Sequence, residues 1–142
     1  MLDLIFARLD GSGQFAQVEI CESLQEIVGV APALDDGSLV LVPWQEQAAP
    51  NRNATGLHRQ RVVFRFVTGI VLRRHDDPRG AERAQAFGAY RKTVEDLLAG
   101  WQPSAGSDSC SLVGGETTGL GNGVSIYAQT WATSRFLTGA HP

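Results

Sequence analysis

The segment Arg61–Arg74, RVVFRFVTGIVLRR, constrains the fold more than any other part of the chain. A β-strand sends successive side chains to opposite faces of its sheet. One face of this segment would carry Val62, Phe64, Phe66, Thr68, Ile70 and Leu72, and the other Val63, Arg65, Val67, Gly69 and Val71. Both sets are largely apolar, which predicts a central strand covered on both sides, with Arg65 the exception. Such a strand needs paired neighbours and a layer over each face. A chain of 142 residues with 43% hydrophobic and 19% charged residues can supply them. At this length about two-thirds of the unfolded surface is buried on folding, so neither metal nor disulfide is required for a core. The same numbers exclude a two-domain enzyme, a disordered chain and a fibrous one.

The flanking sequence fills in the layers. Leu2, Ile5, Phe6 and Leu9 share one face of a short amphipathic helix, ended by Gly11-Ser12-Gly13. Phe15–Val30 is ambiguous between an early strand, FAQVEI, and a short helix, ESLQEIVG, closed by Pro32. Ser38–Trp44, SLVLVPW, follows the turn signal Asp35-Asp36-Gly37 and predicts a strand. Pro43 cannot donate to a ladder, so the strand ends there or lies at an edge. Gln45–Gln60 is polar and turn-rich and reads as a long loop. Asp77-Pro78 reads as a helix N-cap with proline at the first helical position. Phe87, Tyr90, Val94, Leu97 and Trp101 then form a stripe that should pack on the sheet, with Gly100 as the C-cap. Two further strands, SCSLVGG and GVSIYAQTWATSRF, flank the glycine-rich GGETTGLGNG, read as a flexible hairpin. The sum is one α+β domain over residues 1–142, without internal repeats: a mixed, mainly antiparallel sheet packed against one long helix and a short N-terminal helix.

Charge is separated along the chain. Residues 1–50 hold one cation, Arg8, against eight anions, a net of −7. Residues 51–101 hold ten cations against five anions, a net of +5, and the remainder adds −1 to give the formal −3. Eleven of the twelve cations are Arg, whose planar, weakly hydrated guanidinium suits interfaces. Either the two parts pair within one monomer, or the acidic part of one subunit meets the basic part of the next. A head-to-tail contact of the second kind closes into a ring if the rotation permits. Nucleic-acid binding has little support: the net charge is negative, and the stripe Arg52, Arg59, Arg61, Arg73 and Arg74 has few interleaved aromatics and an acidic neighbour that weakens its field.

Chemistry is sparse. His58, His75 and His141 lack the spacing of a metal set. No GxSxG elbow exists, and Ser109-Cys110-Ser111 has no nearby base. His75-Asp76-Asp77 resembles a proton-transfer cluster until Pro78 makes it a helix start. Gly114–Gly123 lacks the Lys and the following helix of a phosphate loop. Cys21 and Cys110 are read as buried free thiols, a single disulfide between them remaining open. MLDLIFARLD lacks a small-residue cleavage site and is not read as a secretory signal, and no window approaches the roughly 18 apolar residues of a membrane span. No catalytic, cofactor-binding or metal-binding residue is expected. Trp101 and Trp131 are assigned to the core, and Trp44, beside Pro43, is the best interface aromatic.

The order of these pieces carries a resemblance. A strand ending in LVLVPWQEQA, a polar loop, a strand opening with Gln-Arg-Val-Val-Phe, a helix ending in Leu97-Leu98-Ala99-Gly100-Trp101-Gln102-Pro103 and a turn at Gly114-Gly115 resemble the tail terminator, or tail completion, proteins of long-tailed bacteriophages. The resemblance spans roughly Leu39 to Phe136. It implies a structural virion protein, assembled in the host cytoplasm at the head-proximal end of the tail. There a ring, typically a hexamer, would sit on the last ring of the major tail tube protein, stop polymerisation and offer a docking surface to a head-completion or neck protein. Viral double-stranded DNA would pass through the lumen without specific binding. Under that reading Trp44, Glu46, Arg52, Arg59, Arg61, Arg73 and Arg74 are candidates for a subunit or tube interface. Glu19, Glu22, Glu26, Asp35 and Asp36 are candidates for the lumen or a subunit contact. The alternatives are a head-to-tail connector or other neck or tube component, and a small ligand-binding or enzymatic domain using the Gly114–Gly123 loop.

Overall fold

The computed structural model describes residues 1–51, 57–73, 81–121 and 123–139. Along the chain run α1 (Leu2–Asp10), β1 (Val18–Ile20), α2 (Leu24–Val30) with a 3₁₀ turn at Ala31–Ala33, β2 (Ser38–Ala48), β3 (Arg59–Arg73), α3 (Ala81–Leu98), β4 (Ser111–Gly121) and β5 (Val124–Thr138). The strands form one five-stranded sheet in the order β1-β2-β3-β5-β4. Only β1 and β2 are parallel, and the other three pairings are antiparallel. This is the mixed, mainly antiparallel α+β architecture the sequence implies.

The two faces read from β3 are both real. Leu39, Leu41, Phe64, Phe66, Ile70, Leu72 and Trp131 are buried against Ile5 and Leu9 of α1 and Phe87, Val94 and Leu98 of α3. Across the sheet, Val40, Val42, Val67, Val71, Val124 and Ile126 are buried against Ile27, Ala31 and Leu34. The ambiguous early segment is therefore both a strand and a helix in succession. Its helix supplies a second covering layer that the expected plan of one long and one short helix lacks. Ser23 caps α2 by accepting from the backbone N–H of Glu26, and the Glu26 carboxylate accepts from the backbone N–H of Glu22 at 2.7 Å. In the first core, Trp131 is fully buried and its indole N–H donates to the Thr68 hydroxyl at 3.2 Å, which satisfies the polar member of that face.

Three boundaries differ from the sequence reading. Strand β2 does not stop at Pro43: it bulges between Pro43 and Gln45 and continues to Ala48. Its partner β1 reaches only Leu41, so Pro43 lies where β2 has become an edge and its missing N–H costs no ladder bond. Gln45–Ala48 and Arg59–Gln60, assigned to a loop, pair with neighbouring strands because backbone pairing does not require apolar side chains. The glycine-rich segment is likewise strand: Gly114–Gly121 belongs to β4, which runs along β5 with irregularities at Leu112/Gly114 and Gly119/Gly121. In α3 the deepest residues are Phe87, Val94 and Leu98, with Tyr90, Leu97 and Trp101 partly buried beside them. Gly100 ends the helix at φ +79°. The Asp77-Pro78 cap and the His75-Asp76-Asp77 cluster lie outside the described residues.

Cys110 belongs to the α1/α3 core and Cys21 to the α2 core, so the sheet separates the two free thiols. Burial raises both: Cys110 is pushed up to about 11, and Cys21 is raised by burial and the nearby charges of Glu26 and Glu19. Since the thiolate is the nucleophile, native protein at mildly alkaline pH should resist iodoacetamide, and both cysteines should be alkylated in denaturant, as read by mass. Rapid native labelling would contradict this packing. Gly37 has φ +85°, and a Cβ there would overlap the Tyr90 hydroxyl of α3. Gly37→Ala should therefore destabilise by about 1–3 kcal/mol. Gly88→Ala, inside α3 with open space around it, should stabilise by about 0.5–1 kcal/mol. Denaturant midpoints of the two variants check the contrast.

Candidate functional site

Residues directly opposite in an antiparallel pair share a face of the sheet. The register therefore assigns Arg59, Arg61, Val63 and Arg65 of β3 and Thr130, Ala132, Ser134 and Phe136 of β5 to the face that carries α2. Helix α2 and its 3₁₀ turn cover that face only around Val40, Val71, Val124 and Ile126. Past Val67 the α2 core does not extend among the described residues; Asp108 closes over Ser134, and the apolar side chains stay open: Trp44 is 48% exposed, Val113 50% and Phe136 39%. The bulge after Pro43 places both Trp44 and Gln45 opposite Arg65. Trp44, Val67, Ala128, Thr130 and β4 residues Val113–Glu116 line a groove of about 310 Å³ on this open half.

The candidate residues divide by what already holds them. Arg61 donates to Asp108, with its Nε at 3.1 Å, and the guanidinium holds that carboxyl below the usual carboxylate range. Arg135 makes a bidentate pair with Glu46, both bonds at 3.2 Å, on the opposite face. The Arg73 backbone N–H donates to the Asp36 carboxylate at 2.6 Å, and its guanidinium donates to the Leu34 carbonyl at 2.8 Å. That contact ties the acidic and basic parts of the sequence together within one chain. Arg59 stacks its guanidinium over the Phe136 ring at 4.2 Å. Arg52 and Arg74 lie outside the described residues. On the acidic side, Glu22, Glu26 and Asp35 are exposed on or beside α2, and Glu19 is half-buried on β1 with Gln17 donating to it.

Sequence reasoning did not place Arg65 among the site residues. It is half-buried on the central strand, opposite Gln45 on one side and Ala132 on the other. Among the described residues nothing forms a hydrogen bond or ion pair with its side chain. The signal for it is the lone charge on an apolar strand face. The expected lumen and interface residues are not gathered into one cluster: the exposed acids sit on the β1–α2 layer, and the open basic residues sit on the uncovered half of the sheet. No group of three or more His, Cys, Asp or Glu among the described residues could hold a metal ion. Among the described residues no helix is long and apolar enough to cross a membrane.

A family model described as phage tail terminator protein matches residues 4–140. A chain from the virion of the native gene transfer agent (GTA) particle is similar in structure, with a TM-score of 0.49 and 16% identity, over 92% of this chain and 83% of that one. No curated protein sequence matches the chain. The family match takes in nearly the whole sequence, and the chain belongs to the phage tail terminator proteins, structural proteins of the virion tail.

Proposed function

We propose that this tail protein is the repeating subunit of a ring, sixfold in its assembled form, that seats on the last ring of the tail tube, ends its polymerisation and gives a head-completion or neck protein its docking surface. The observation that carries the ring is the uncovered half of the sheet face. A folded subunit that leaves Trp44, Val113 and Phe136 open beside Arg59 and Arg65 has a surface suited to contact with another protein. The charge separation supports the same reading. Arg61, Arg73 and Glu46 are engaged within the chain, whereas Arg59 and Arg65 on one side and Glu22, Glu26 and Asp35 on the other have no ion-pair partner among the described residues.

The mechanism is geometric and assigns no catalytic step. One face of the ring matches the tube end, and the opposite face does not template another tube ring. Exposed acids of the β1–α2 layer either line the lumen, where negative charge repels phosphate and keeps a duplex mobile, or meet the basic face of the next subunit. Tube growth in vitro tests the reading. Adding this protein to polymerising tube subunits should shorten the tubes in proportion to its ratio, and capped tubes should not elongate when fresh tube protein is supplied. Electron micrographs should show a ring at one end. Tubes that grow to the same length with or without it would refute the terminator role.

A further inference from the structure

Arg65 is costly where it stands. A guanidinium drawn half out of water on a central strand, with Gln45 and Ala132 as its cross-strand neighbours, loses hydration without gaining a partner. An arriving carboxylate would convert that loss into a charge-assisted, bidentate contact. Arg61 on the same face is neutralised by Asp108, and Glu116 stands at the β4 side of the groove. The unmatched charge of the open half is therefore net positive, Arg59 and Arg65 against Glu116.

The chain carries the complement elsewhere. Helix α2 presents Val28, an apolar side chain, at 59% exposure. In the same stretch of chain stand Glu19, Glu22 and Glu26, within a segment whose net charge is −7 over residues 1–50. Helix α2 packs its inner side on the sheet through Ile27, so its outer side faces away from its own subunit's open half. One copy therefore cannot satisfy its own open half with this surface, and a second copy can.

We infer that the open sheet face of one copy receives the β1–α2 surface of a second copy, with Arg65 taking a carboxylate from Glu22 or Glu26 and Val28 entering the groove beside Trp44. This deepens the ring reading and rests on it. The donor and acceptor surfaces are different patches, so the contact is heterologous: each copy has one of each to offer, and repetition closes the ring. It also assigns the exposed acids to the subunit contact and away from the lumen. In the joined pair α2 of the neighbour supplies the layer that the far half of β3 lacks.

Thiol crosslinking tests the contact. Val28→Cys and Trp44→Cys together in one chain, treated with a short bismaleimide under assembling conditions, should give a covalent ladder that passes the dimer and ends at the closed ring. The native Cys21 and Cys110 are buried and should not contribute. Either cysteine alone should give no ladder. A ladder that stops at the dimer would overturn the head-to-tail arrangement in favour of a two-fold exchange. Val28→Glu, at an exposed position, should leave the melting temperature unchanged and weaken association at least tenfold. Arg65→Glu should do the same to association, and adding Glu22→Arg should restore it. Wild-type rings that coexist with intact rings of Val28→Glu and no crosslinks would overturn this contact and leave the ring reading standing. Wild type that stays monomeric both alone and at tube ends would overturn both.

Discussion

Backbone groups in a strand that water cannot reach must be paired by neighbouring strands, since a buried unpaired N–H or C=O costs as much as a lost hydrogen bond. Strand β3 is subject to that demand along most of its length, and it is met by β2 on one edge and β5 on the other. The side chains impose a second demand, because both faces are apolar and each needs a layer. Helices α1 and α3 cover one face from Leu72 to Phe64, whereas α2 is only seven residues long and runs out sooner along the other. The uncovered remainder is a consequence of that short helix against a fifteen-residue strand. The candidate site is thus the place where the chain's own architecture stops.

Charge separation in the sequence has two destinations. Arg73 with Asp36 and Leu34, and Arg135 with Glu46, join distant parts of the sequence within one chain. The exposed Arg135–Glu46 pair is worth about 0.2–1 kcal/mol, so it guides the packing more than it stabilises it. Arg59, Arg65 and the acids around α2 are left over from this internal pairing. The excess matters more for association than for folding, because complementary surface fields act on encounter and partner choice.

Features with a strict local period are legible in the sequence alone. The two faces of β3, the stripe of α3 and Gly100 after the helix follow from spacing, the burial of Trp131 from the apolar bulk of its side chain, and each is found in place. The resemblance to tail terminators rests on the order of those same elements, and the family match extends it to residues 4–140. What is not legible is pairing sustained by backbone alone. Gln45–Ala48 is polar and Gly114–Gly121 is rich in glycine, so neither carries a side-chain period, yet both are held in the sheet by a neighbour's N–H and C=O groups. Arg65 is visible in the sequence as an anomaly on its strand. Its meaning needs the register, which shows that no carboxylate stands beside it.

The separation of Cys21 from Cys110 has a bearing on the life of the particle. A virion protein is made inside a cell and then persists outside one, so it passes from reducing to oxidising surroundings. With each thiol sealed in a different core and the sheet between them, that passage offers no route to a crosslink within the chain and no exposed thiol for a crosslink to another. The covalent connectivity with which this chain folds is therefore the one it keeps in the particle.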